Sequence, residues 1–349
     1  MIKKIILVLI ICISIISCAN KESANSISTT AHKKEMTFSL IPAKDSDKIV
    51  KSLAGLDLIL KESYASEGYL IDKVNVKIAD SYNAVGEALS SGQSDLALMS
   101  AGIFTIFSDD IVAVLGATRA AISIDSEIPM DYNDENNPPN NNGKPMQHYR
   151  SLIMATPSPY GKILAKKVAA GEKLTWEDIN KAKWSVLNNT SSTGYIYPAI
   201  WLKENYNKTF KDLKNLKIVN DHSQQIQLAA SEESDIIVTF ADYRIENEHT
   251  WNLATNQIYD SKPGLGREKT IWEELKVIGV PKPIYFVVLA ANNDLDKEFI
   301  DVSKKVFLKI MDNPKVKEVF GMFNIAGFEE TSDERYLEIK KAIDSIKED

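Results

Sequence analysis

The hydroxyl run Thr190-Ser191-Ser192-Thr193 precedes Gly194 and Tyr195 where the chain changes character, and its last three members are the candidates for chemistry. Upstream, Trp184-Ser185-Val186-Leu187 reads as a short buried strand. Downstream, Tyr195 to Leu202 is an apolar helical stretch with Pro198 in its first turn. A helix start offers unpaired backbone N–H groups and a partial positive charge, so hydroxyls placed there can cradle a phosphate-like anion reversibly. Ser and Thr are also favoured N-caps, and capping alone would account for them equally simply. His222 sits at a second strand-to-helix junction, Asp221-His222-Ser223. It can donate to an anion and add charge when protonated, or merely help cap its helix. Tyr82, at another helix start, offers a phenolic donor or a core ring. Asp242 and Tyr243, just past a strand end, can meet the cationic or polar part of a ligand, although a solvated loop carboxylate is the plainer account of Asp242.

Other chemistries find less support. Ser192, His222 and Asp242 occur in the order of a nucleophile, base and orienter, but no Gly-x-Ser-x-Gly elbow accompanies them. No Gly-x-x-x-x-Gly-Lys loop is present, so the chain is not an ATPase of that type. His32, His148, His222 and His249 show no metal-ligand spacing. No catalysis, metal or cofactor is expected. A surface adhesin or structural lipoprotein is the alternative of another class.

The N-terminus carries a location signal. Met1-Ile2-Lys3-Lys4 is basic and residues 5–16 are almost uninterruptedly apolar, too short for a span of about 20 residues and laid out as an export signal over residues 1–17. Ile15-Ile16-Ser17-Cys18 resembles a bacterial lipobox, which implies that Cys18 takes a diacylglycerol and becomes the new N-terminus. A plain secretory signal with an incidental cysteine is the simpler alternative. Residues 18–35, rich in Ser, Thr, Ala and Lys, read as a tether. The chain's two cysteines are Cys12 and Cys18, so the folded body would hold no disulfide or cysteine metal site. Loss of Lys3 and Lys4 takes the formal charge from −7 to −9, which argues against a nucleic-acid partner. About 315 residues remain, enough for two α/β lobes.

Those lobes must position the hydroxyl run. Met36 to Pro42 reads as a strand closed by proline, Val74 to Ala79 alternates as a strand, and Ser81 to Leu89 is a short helix stopped by Ser90-Ser91-Gly92. The continuous apolar runs at Asp95 to Ser100 and Ile111 to Gly116 read as buried strands of a parallel sheet. Residues 124–147, with Pro138-Pro139 and Asn140-Asn141-Asn142-Gly143, read as a long surface loop, an insertion or, less simply, a lid. Tyr149 to Ala155, Leu216 to Val219 and Asp235 to Phe240 are further strands, and residues 251–268 are polar and loop-like. Two more strands at 277–281 and 285–290 precede C-terminal helices.

The order of these features resembles the phosphate, phosphite and phosphonate substrate-binding proteins of ABC importers, over nearly the whole mature chain. The resemblance rests on Ile41-Pro42-Ala43-Lys44-Asp45-Ser46, on Ser81-Tyr82 in place of the family's Asp-Tyr, and on Ala88-Leu89-Ser90-Ser91-Gly92-Gln93-Ser94-Asp95. It continues with Tyr149-Arg150-Ser151, with Ser191-Ser192-Thr193-Gly194-Tyr195 and Pro198 for the anion loop, with His222 and with Ser234-Asp235. Asp242 is the match for the family's acidic position. The family also includes mycoplasma lipoproteins associated with thiamine or its phosphates, and the Tyr- and Trp-rich departures here point toward that branch. The resemblance implies an α/β type II periplasmic-binding fold, with lobe 1 at 36–155, lobe 2 at 156–240 and the hinge return and rest of lobe 1 at 241–349. It further implies a ligand cleft between the lobes, ligand contacts from Tyr82, Ser191, Ser192, Thr193, His222 and Asp242, and a permease and an ATPase as partners. The expected product is a lipid-anchored binding protein on the outer face of the membrane. Phosphate, phosphite, a phosphonate and thiamine phosphates all remain candidate ligands.

Overall fold

The computed structural model describes residues 31–41, 51–189 and 191–347. Cys18, residues 42–46 and Thr190 lie outside the described residues. The chain begins a sheet with β1 (Ala31–Leu40), β2 (Tyr69–Ile78), β3 (Leu96–Ser100), β4 (Ile111–Ala121) and β5 (Gly143–Met146). It crosses through β6 (His148–Tyr149) into a second sheet with β7 (Ser151–Ala155), β8 (Trp184–Val186), β9 (Leu216–Ile218) and β10 (Ile236–Phe240). A hairpin of β11 (Ile258–Tyr259) and β12 (Lys262–Pro263) precedes β13 (Lys276–Gly279), the last strand of that sheet. The return runs through β14 (Ile284–Tyr285) to β15 (Val287–Asn292) and β16 (Gly327–Glu329) in the first sheet. The outgoing and returning strands pair where they cross, Ile284 opposite Tyr149 and Tyr285 opposite His148.

The first sheet has the order β16-β4-β15-β3-β1-β2 with β5 on β4, and the second the order β13-β7-β10-β8-β9. β1 is parallel to β2 and β3, but β15 enters between β3 and β4 antiparallel to both. The expected parallel setting of β4 is therefore corrected: its neighbours β15 and β16 both run against it. Its apolar run reflects burial under helices, which reads alike in either strand direction.

The boundaries also shift. β1 starts at Ala31, inside the expected tether, because 31–35 pairs in register with β2. β7, assigned above to lobe 1, and β13, assigned to the return, both belong to the second sheet. Trp251, Ile271, Trp272 and Leu275 join Leu152, Met154 and Ile237 in an apolar cluster on it. The part of the chain built on this sheet thus runs from Ser151 to Gly279, with 241–275 on one of its faces and β13 joining the sheet itself rather than returning directly. Nor is 124–147 a bare surface loop. Tyr132 is buried in the same cluster, Asn133 bonds the N–H and C=O of Val277 at 2.8 Å each, and β5 pairs with β4.

Local signals work as read where they are self-contained. Ser81 caps its helix by accepting from the Ala84 N–H, and Gly92 ends that segment at φ 74°, a conformation glycine enters without penalty. Among the described residues, no helix is long and apolar enough to cross a membrane.

Candidate ligand cleft

A cavity of about 470 Å³ opens where the two sheets meet. Its wall takes Arg119 from the end of β4, Tyr149 from β6, Thr193 from the hydroxyl run, and Phe240 and Asp242 from the end of β10. These are the carboxyl ends of strands, where ligands of α/β sheets gather.

The hydroxyl run does begin a helix, but through a wide π-helical turn, Ser192–Ile196, that leads into the helix Tyr197–Tyr206. Gly194 packs against Leu187, and a Cβ there would lie 2.4 Å from the Leu187 Cγ. Ser191 is an N-cap: its hydroxyl accepts from the Gly194 N–H at 3.0 Å. Ser192 Oγ has no hydrogen-bond partner among the described residues. Of Ser191, Ser192 and Thr193 only Thr193 lines the cavity, held there by Ser151 Oγ donating to its carbonyl at 2.7 Å.

His222 is brought to Thr193, as the sequence suggested. Its Nδ1 faces Gln225 Oε1 at 2.8 Å, an acceptor fixed by the Gln225 amide nitrogen donating to the Ser185 carbonyl. Nδ1 therefore donates, and in a neutral imidazole Nε2 is left to accept from the Thr193 hydroxyl, 3.3 Å away. Burial pushes the His222 pKa below its ordinary value, against smaller opposing effects from the Gln225 bond and the Val238 backbone. The lowered pKa favours the neutral imidazole at neutral pH. The rings of Phe240 and Tyr243 pack on it at 5.4 and 5.6 Å.

Asp242 is not a solvated loop carboxylate. Its side chain and that of Arg244 are both 0 % exposed and joined by a fork of hydrogen bonds, Nη2 to Oδ2 at 2.6 Å and Nε to Oδ1 at 3.0 Å. Arg244 also donates to the carbonyls of Leu275 and Tyr132 and lies over the Trp272 ring at 4.7 Å. Asp242 forms part of the cavity wall, but its charge is already matched. Asp242 is thus forked onto Arg244 and not hydrogen-bonded to His222, whose Nδ1 faces Gln225 instead. Tyr82 stays apart: it is 49 % exposed at the start of its helix and does not line the cavity.

Two arginines outside the expected contact set also line the cavity. Arg150, within the quoted Tyr-Arg-Ser motif, is almost buried and donates to Asp125 Oδ1 at 2.5 Å, while His148 bonds the other oxygen at 3.0 Å. Burial pushes the Asp125 pKa up, but Arg150 and His148 outweigh it and hold the carboxyl below its ordinary value. Arg119 lies over the rings of Tyr149 at 4.8 Å and Phe286 at 5.2 Å. No carboxylate pairs with it among the described residues. The only signal for it was a lone cation closing an apolar strand.

The family model described as the periplasmic substrate-binding protein of phosphonate ABC transporters matches residues 38–336. The chain belongs to that family. Its two-sheet layout is accordingly the type II periplasmic-binding fold. Among solved structures, similarity extends to Mh-p37 of Mycoplasma hyorhinis, a candidate thiamine pyrophosphate transporter, with TM-score 0.59 and 13 % identity over 90 % of this chain and 100 % of that one. XAC2383 of Xanthomonas citri, bound to ATP, is similar with TM-score 0.54 and 11 % identity over 90 % and 99 % of the two chains. No curated protein matches by sequence.

Proposed function

We propose that this phosphonate-family binding protein captures an organic phosphate or phosphonate carrying a flat ring, and presents it to the permease and ATPase of an ABC importer. One observation carries the reading: a cavity of about 470 Å³ combines the Arg119 guanidinium and the Thr193 hydroxyl with the rings of Tyr149 and Phe240. That volume suits a drug-sized molecule rather than a bare phosphate or phosphite. Aromatic walls favour a flat body, and a cationic ring gains further from their faces. Thiamine phosphates have these parts, and the cargo suggested for Mh-p37 is one of them.

Native mass spectrometry of freshly purified protein should find a retained ligand of this kind. In thermal shift, a ring-bearing phosphate or phosphonate should stabilise the fold in proportion to its excess over Kd, about 2.7 kcal/mol at a hundredfold excess, with phosphate and phosphite inert. Response to inorganic phosphate alone would overturn the size argument, and conversion of the ligand to product would replace binding by catalysis.

The lipid anchor at Cys18 is part of the same proposal and rests on the sequence Ile15-Ile16-Ser17-Cys18. Cys18→Ser should leave an unprocessed precursor or release the protein from membranes in detergent-phase partitioning. A variant as firmly and maturely bound as the parent would sink the anchor.

A further inference from the structure

Charges around the cavity are mostly matched within the protein. Asp125 is held by Arg150 and His148, and Asp242 by Arg244. Two charged side chains of the cavity wall remain without an ion-pair partner among the described residues, Arg119 and Glu246. Glu246 belongs to the hydroxyl corner, since its charge acts on both the His222 imidazole and the Tyr243 phenol. That corner is therefore poorly suited to an anion. Its imidazole has a lowered pKa, the Thr193 hydroxyl is engaged with His222, the Ser191 hydroxyl accepts from its own helix, and the Glu246 carboxylate of the same wall is unmatched. An oxyanion placed there would meet like charge with no cation to offset it.

Arg119 offers the reverse. Its guanidinium is stacked on Tyr149 and Phe286, which orients the planar fork while leaving its N–H donors without a carboxylate. A fork of this kind matches the paired oxygens of a phosphoryl or phosphonyl group. We infer that Arg119, not the hydroxyl run, receives the ligand's oxyanion, so that the ligand lies with its charged end toward β4 and its ring toward Phe240 and Thr193. The inference rests on the organic-phosphate reading above and fixes the ligand's direction in the same cavity.

Calorimetric titration of wild type, Arg119→Gln and Thr193→Ala with thiamine monophosphate, phenylphosphonate and inorganic phosphate tests it. Whichever probe binds wild type should bind Arg119→Gln about ten- to a hundredfold more weakly, the worth of a hydrogen bond to a charged group. Thr193→Ala should weaken binding less than Arg119→Gln does, and Arg119→Lys should recover part of the loss because it restores a point charge. Should Arg119→Gln fail to fold, Arg119→Met keeps the stem's packing on both rings and gives the same reading. A loss for Thr193→Ala equal to or larger than that for the Arg119 variant would overturn the inference and leave the proposed function standing. Failure of wild type to bind any of the three probes would overturn both.

Discussion

Arg244, behind Asp242 of the cavity wall, and Arg119, in the wall itself, are held in opposite ways. Arg244 is fully buried, forked onto Asp242 and bonded to two carbonyls, so every charge is answered inside the protein. Arg119 is half-buried, rests on two aromatic rings and has no carboxylate partner among the described residues. Arg150 is intermediate, nearly buried but paired with a partly exposed Asp125. The contrast separates charges that hold the fold from a charge left for a ligand, because an ion whose partner is internal gains little from binding another.

The largest expected effect concerns the Asp242–Arg244 pair. Asp242→Asn leaves a buried guanidinium without its counter-ion and should cost about 3–5 kcal/mol in urea denaturation. A loss below about 1 kcal/mol would mean that Arg244 finds water or another partner, and the contrast with Arg119 would fail. Asp125→Asn should fall in between, at about 1–3 kcal/mol, since its partner is buried but the carboxylate is partly wet. Arg119→Met should cost the apo protein only about 0.5–1 kcal/mol, the worth of a partly exposed cation over aromatic rings. A larger loss in Arg119→Met than in Asp242→Asn would invert the assignment of roles.

Acid provides a further test, expected to be smaller and directional. Folded His222 has a pKa below its ordinary 6.5, so the unfolded chain binds its proton first as pH falls. Its contribution to stability is therefore complete above pH 6.5 and is lost as pH drops through the lower folded value. Asp125, also held below its ordinary value, adds a loss at still lower pH. Denaturation of His222→Gln at a series of pH values should show a flatter profile just below pH 6.5. An unchanged profile would remove His222 as a buried neutral group.

Much of this was legible in the chain. The strands around 36–40, 96–100 and 236–240, the helix starts at Ser81 and His222, and the hydroxyl run before a helix were all read from local pattern. Thr193 and His222 were picked and do meet, because both lie at strand-to-helix junctions of neighbouring strands in one sheet. Arg119 was passed over for a physical reason: its residue type was visible, but its lack of a partner was not. Asp242 and Arg244 are only two residues apart, yet their pairing was missed because burial at that turn comes from Tyr132, Trp272 and Leu275, far along the chain.

Neighbouring residues and motifs in order were enough to specify the alternation of strands and helices, the helix starts and stops, and the family. Tertiary structure alone decided which way β4 faces its neighbours, where the second sheet begins and ends, and which charges are matched. β15 must travel from residue 287 to lie between β3 and β4, and Arg150 finds Asp125 across 25 positions. Pairing energy depends on distance and burial in space, and neither is written in the spacing of residues along the chain.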